Sequence, residues 1–407
     1  MPVERFSLGG DPDAAAARVH SLAPGAESVT DAVREIVEAV RTDGDGALLR
    51  YVERFDRVEG PLAVAPAELE DALRGLDPAV RAGLETAIAN VRAVAEADLG
   101  ADVDVALPQG QTVRLRDVPV GRAAIYVPGG RAPYPSTVVM GVVTARAAGV
   151  EEVVVCAPGA HPVILAACAL CGADAVFRMG GAHAVAALAY GTATVPRADV
   201  IAGPGNLYVQ EAKRLVSGAV GIDGFAGPSD VVVLASAGAD PRLVSLDLAA
   251  QAEHGEGTIV CAVSDDPALL DAIEVEPGDA AAALVDAPDV EGALAFAEAF
   301  APEHLELVGA AAEALAPRVR RAGCVFVGRE SGTAFGDYVA GSNHTLPTGG
   351  AARFASQLGV RHFRRRMSEV RIGAAAGELA RAGAPVARAE GFELHAASME
   401  VRENGAP

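Results

Sequence analysis

Tryptophan is absent from this 407-residue chain, aromatic side chains make up only 4% of it, and its five cysteines are an odd number. A disulfide framework needs paired cysteines in an oxidising compartment. Cys156, Cys168, Cys171, Cys261 and Cys324 instead sit in mostly apolar surroundings. Cys168 and Cys171 form a C-x-x-C within an apparent helix, ILAACALCGA, with no second pair to complete a zinc site, so burial is their expected role. Basic charge is also scarce. The formal net charge is −21, which disfavours nucleic acids and anionic membranes, both bound through Lys and Arg. No uninterrupted apolar run reaches membrane-spanning length, and the opening MPVERFSLGG holds no apolar signal core. A reducing cytoplasm is the expected setting.

The composition that remains, 51% hydrophobic and 21% charged, suits a well-buried globular protein. Its length allows two or more cores. Residues 1–121 read mostly as helix. Ser28-Val29-Thr30-Asp31 is a candidate cap for AVREIVEAVRTDGD, and 78–98 is a long amphipathic stretch; neither carries a reactive cluster. From 122 onward, short apolar runs (AAIYVP, EEVVVCAP, AVFRMG, ADVIAG) alternate with helical stretches. A second series runs from DVVVLAS through TIVCAVS and LELVG to CVFVG. Such alternation predicts parallel sheets covered on both faces. The expected division is a helical N-terminal region, 1–121, contributing to a first α/β domain at 122–229. A second α/β domain, 230–355, and a helical tail, 356–407, follow.

Several segments bear chemistry. Gln251 and His254 stand three residues apart at a predicted helix end, so both polar heads can converge on one target. Two ligands do not make a metal site, and taken alone this pair fits a solvated helix end better. Tyr126-Val127-Pro128-Gly129-Gly130 and Gly203-Pro204-Gly205-Asn206 each join a strand to a helix, where glycine lets the backbone approach a ligand and Asn206 can cap. Neither is a G-x-G-x-x-G fingerprint. Glu303-His304 sets two proton-transfer groups in one loop, expected at the carboxyl edge or rim of a sheet. The glycine-rich stretch from Gly336 to His344 packs Asp337, Tyr338, Asn343 and His344 into an expected loop, and Glu390 with His395 lies near the C-terminus.

Taken in this order, these segments resemble the histidinol dehydrogenase family. The resemblance runs from about residue 120 to 402, through YVPGGRAPYPSTVVM, GGAHAVAALAYGT, IAGPGNLYVQEAKR, AGPSD, QAEHG, APEHLEL, GDYVAGSNHTLPTGGAARF and EGFELHAASMEVR. It implies an α/β fold of two incomplete Rossmann-like domains with parallel sheets, a helical N-terminal segment and a small helical C-terminal tail, in an intertwined homodimer. It implies NAD-dependent, two-step oxidation of L-histidinol through L-histidinal to L-histidine, with one Zn2+ per subunit. Zinc would be held by Gln251, His254, Asp337 and His395, the last reaching into the partner's site. Ser229, Gln251, His254, His304, Asp337, His344, Glu390 and His395 would contact substrate. Glu303 would activate water and His304 would move protons. Tyr126, Asn206 and the residue at 183 would contact NAD. His183 departs from the glutamine of the family pattern, and an imidazole is shorter and titratable. A paralogue acting on another small polar alcohol, such as a sulfonated diol, is the alternative, with a zinc hydrolase further off; Glu390, His344 and His395 favour histidinol.

Overall fold

The computed structural model describes residues 3–23, 29–58, 60–129, 132–224 and 227–403; Ser28 of the candidate cap, Gly130 of the first glycine loop and Ala226 of AGPSD lie outside them. The chain divides into two compact units, Met1–Asp98 with Val120–Phe363 and Leu99–Pro119 with Arg364–Pro407.

The larger unit is an α/β structure built on two parallel sheets. The first has five strands in the order Ala175–Phe177, Glu152–Cys156, Arg122–Tyr126, Val200–Ala202 and Gly221–Ile222. Its central strands are runs of Ala, Val and Ile because helices cover both faces, leaving no position for a polar side chain. The helices Pro162–Cys171, Gly181–Tyr190 and Leu207–Val216 lie among these strands in sequence. Cys168 and Cys171 are buried. The second sheet has six strands, in the order Val3–Ser7, Ala281–Asp286, Ile259–Ser264, Asp230–Ala235, His304–Val308 and Cys324–Val327, all parallel. Three of its helices open with an aspartate cap: Asp240 before Pro241–Ala252, Asp266 before Pro267–Ala272 and Asp289 before Val290–Phe300.

The N-terminal region is mostly helical, but it also supplies a strand to the second sheet. Val3–Ser7 is a strand at the edge of the second sheet, in register with Ala281–Asp286. The helix Pro12–His20 packs into the same sheet's core through Ala15, Ala16 and Val19, and the His20 ring stacks on Phe300 at 4.1 Å. Only the later helices serve the first sheet, including Thr30–Asp43 and Pro78–Ala97. Val29, without a side-chain bond, occupies the cap of Thr30–Asp43.

The smaller unit is a three-stranded antiparallel sheet, ordered Arg364–Arg371, Thr112–Pro119, Val103–Ala106, followed by the helices Ala376–Ala389 and Glu393–Glu400. The tail therefore opens with a strand rather than a helix. RRRMSEVR carries little β-branched signal, and pairing along eight positions of Thr112–Pro119 imposes the extended form. Among the described residues no helix is long and apolar enough to cross a membrane.

Candidate active site

Tyr126 ends its strand, Gly181 opens the helix after Ala175–Phe177, and Asn206 opens the helix after Val200–Ala202. All three lie at the carboxyl edge of the first sheet, around a cleft of about 860 Å³ that also touches Gly129, Pro158 and His183. That volume is the size of a cofactor site. The Tyr126 hydroxyl accepts from Gly181 N at 2.9 Å. Gly203 has φ +126°, and a Cβ there would stand 2.1 Å from the Tyr126 carbonyl oxygen, so only glycine lets these two loops meet. Asn206 Oδ1 accepts from the amides of Tyr208 and Val209, as its capping role requires, and its amide nitrogen is left for a ligand.

A buried ion pair holds this loop. Lys213 is 1% exposed and Asp223 lies beside it. Lys213 Nζ donates to the Gly203 carbonyl at 3.1 Å, while Asp223 Oδ2 accepts from Gly203 N at 2.7 Å. His183 is equally fixed: its Nε2 lies 2.8 Å from Asp56 Oδ2, which also accepts from Gly180 N. The rings of Tyr51 and Phe55 stand 5.9 and 6.0 Å from its ring. The N-terminal region thus supplies Tyr51, Arg54, Phe55 and Asp56 to the cleft, from outside the two stretches singled out in the sequence.

The second cluster lies at the opposite kind of edge. Asp230 and His304 are the first residues of neighbouring parallel strands, so Ser229, Asp230, Glu303 and His304 gather at the amino edge of the second sheet. The carboxyl-edge expectation for Glu303-His304 is therefore corrected: the pair precedes its strand. The helix Pro241–Ala252 runs back from the carboxyl end of Asp230–Ala235, which returns Gln251 to the same amino edge. Gln251 Nε2 donates to Ser229 Oγ at 2.5 Å, and Ser229 Oγ donates to Glu303 Oε2 at 2.5 Å. Asp230 N also donates to Glu303 Oε2, at 3.0 Å, and Glu303 N returns a bond to Asp230 Oδ1, at 2.7 Å.

Burial dominates the electrostatics here. It pushes Glu303 well above the usual carboxylate range, with the neighbouring Asp230 charge adding to the effect. Asp230 rises to about 7 for the same first cause. Burial lowers His304 to about 3, against the pull of its bond to the Asp230 carbonyl, so its imidazole is neutral at pH 7. Its Nδ1 lies 3.3 Å from that carbonyl, and its Nε2 lies 3.9 Å from Asp337 Oδ1.

Asp337 sits within the short helix Thr333–Tyr338 rather than in a loop; Gly336 permits this, since a Cβ there would meet the Phe326 ring at 2.5 Å. Burial raises Asp337 to about 6, while the nearby His254 opposes the rise. His254 places Nδ1 3.1 Å from the Gln251 carbonyl, leaving Nε2 outward. That is how a metal-binding imidazole is usually oriented by its second nitrogen. Gln251 has spent its amide nitrogen on Ser229, which leaves the amide oxygen. One imidazole nitrogen, one amide oxygen and one carboxylate make an N/O donor set that fits zinc. Among the described residues no three His, Cys, Asp or Glu side chains form a metal cage. His344 adds a buried Nε2 without a hydrogen-bond partner, and burial lowers its ring to about 4. A neutral, unpaired nitrogen of this kind suits a polar ligand.

Glu390 and His395 belong to the smaller unit. Glu390 ends the Ala376–Ala389 helix and His395 stacks on Phe392 at 4.9 Å; both are exposed. Asp230, Asp56 and the Lys213–Asp223 pair were not anticipated from sequence. Asp230 stood within the quoted AGPSD, but nothing local distinguishes it, since its partners come from 73 and 119 residues away.

The family model for histidinol dehydrogenase matches residues 23–403. The histidinol dehydrogenase of Pseudomonas putida is 41% identical over 92% of this chain and 91% of its own length. That of Cupriavidus pinatubonensis is 42% identical, again over 92% and 91%. The crystal structure of histidinol dehydrogenase from Elizabethkingia anophelis superposes with a TM-score of 0.91 at 27% identity, covering 98% of both chains. With this fold, this amino-edge cluster and these relatives, the chain belongs to the histidinol dehydrogenase family.

Proposed function

We propose that the chain oxidises L-histidinol through L-histidinal to L-histidine, with two NAD consumed in sequence, as the closing steps of histidine biosynthesis. The observation that carries the reading is the junction of Ser229, Asp230, Gln251, Glu303 and His304 within one hydrogen-bonded cluster, with a separate cofactor-sized cleft in the same unit. Gln251, His254 and Asp337 would hold one Zn2+ per subunit, with His395 of a second copy completing the set. When bound, zinc fixes the substrate's nitrogen donors and NAD accepts the hydride.

This chain's residues do the rest. His304, neutral and fixed by the Asp230 carbonyl, takes the hydroxyl proton in the first oxidation and assists the second. Glu303 takes a proton from the water that adds to the aldehyde, and Ser229 aligns its carboxyl. Ser229, His344 and Glu390 contact the substrate; Tyr126, His183 and Asn206 contact NAD, which makes 122–229 the NAD-contacting domain. Because His183 is bonded to Asp56, its contact with the cofactor is through a ring of fixed orientation.

Mixing the protein with L-histidinol, NAD and zinc tests the reading. About two NADH per histidinol, abolished by chelation, are expected from two hydride transfers. Turnover of another alcohol with none of histidinol would sink it. Mixing inactive His254→Ala and His395→Ala chains should restore some activity through hybrid dimers. Failure after confirmed subunit exchange would count against a shared site.

A further inference from the structure

A buried carboxyl, Glu306, meets a half-buried one, Asp247, beneath the cluster just described, and none of the proton transfers uses either. Glu306 lies two residues beyond His304 on the same face of the strand His304–Val308. Asp247 lies one helical turn before Gln251 in Pro241–Ala252. One Glu306 oxygen accepts from Thr333 N at 2.7 Å and from the Thr333 hydroxyl. Thr333 opens the helix that bears Asp337. The other Glu306 oxygen is buried without an N–H or O–H donor, and the Glu306 and Asp247 side chains lie within hydrogen-bond contact of each other. Asp247 is pressed on the backbone: a Cβ at Gly332 would stand 2.9 Å from its Oδ1.

Two carboxyls in hydrogen-bond contact at a buried site cannot both ionise; one proton must lie between them. We propose that Glu306 and Asp247 share a single proton and form a positioning pair, fastening the helix that bears Gln251 and leads into His254, and the helix that bears Asp337, to the strand that bears His304. Burial raises Asp247, and burial followed by the Asp247 charge raises Glu306 to about 8, so one proton stays in the contact between Asp247 and one oxygen of Glu306. Its second oxygen is then free to receive the Thr333 amide. A single donor and acceptor chain therefore runs from one ligand-bearing helix to the other.

The inference rests on the metal ligands proposed above, and two measurements keep the two readings apart. In the first, the full chain competes with a chromogenic chelator for zinc. Glu306→Leu and Asp247→Leu should weaken zinc by about tenfold to a hundredfold, whereas Glu306→Gln, whose amide can still donate and accept, should stay within about threefold. Gln behaving like Leu, or Leu behaving like wild type, overturns the pair. In the second, infrared spectra of metal-free protein near pH 7 should show neutral carboxylic C=O absorption from Glu303, Asp230 and the pair, and the wild-type minus Glu306→Gln difference should show the loss of one such band. An unchanged band overturns the shared proton even if wild type binds no zinc, in which case the ligand assignment fails separately. Should the leucine variants not fold, wild type against Glu306→Gln still decides by this band.

Discussion

At Glu303, task and environment pull in opposite directions. A carboxylate that activates water must be ionised, yet burial and the Asp230 charge keep its proton in place. Raising the pH removes that proton, so conversion of L-histidinal to L-histidine should accelerate with pH in rapid-quench experiments. Glu303→Gln should flatten this rise and slow the second oxidation by about 10²–10⁴-fold, while largely sparing the first; His304→Ala should slow both by a similar factor. Equal loss of both oxidations in Glu303→Gln would end the assigned division of labour. At this scale the sequence was informative where the chemistry is local. Glu303 and His304 are adjacent, and Gln251 and His254 share a helical turn. Asp230 acts only through partners far along the chain, so no window around it reveals its role.

Among the elements, the Gly203 turn depends most on its support. Lys213→Met would leave Asp223 buried without its counter-charge, at a cost of about 3–5 kcal/mol. Thermal melts should show that loss, and Lys213→Met with Asp223→Leu should recover most of it. The double variant still lacks both bonds to Gly203, so NAD affinity, read by fluorescence titration, should remain about tenfold or more below wild type with the histidinol KM unmoved. Recovery of NAD affinity along with stability would exclude the clamp. The β-branched strands were legible because their side chains fit a sheet buried on both faces. Ala281–Asp286, AAALVD, passed unread: alanine favours helix by propensity, and only its place between Ile259–Ser264 and Val3–Ser7 makes it a strand. The amino-edge position of Glu303-His304 was missed because strand polarity relative to a motif depends on where the strand begins.

For the whole molecule, buried titratable groups set the pH dependence of stability. Asp230 at about 7 and Glu306 at about 8 hold protons that the unfolded chain would release near 4. Folded protein thus binds more protons between about pH 4 and 8, and on their account stability falls as pH rises through that window. His304 and His344, lowered to about 3 and 4, act oppositely, but only below their unfolded value of 6.5. Metal-free protein should therefore lose melting temperature from pH 6.5 to 8.5, and less so in Glu306→Gln; a flat or rising profile would contradict these assignments. The division into two α/β sheets was legible from alternating patterns, whereas the antiparallel unit was not, since its strands come from 103–119 and 364–371. The edge strand Val3–Ser7 has the same non-local character, with a consequence for biosynthesis. A ribosome releases this strand early, yet its partner Ala281–Asp286 emerges some 280 residues later, at about 5–20 residues per second. For many seconds an amphipathic segment awaits its seat, and the second sheet cannot close its edge until most of the chain is made. Completion of this sheet therefore follows the order of synthesis, and Val3–Ser7 stays unpaired for that interval.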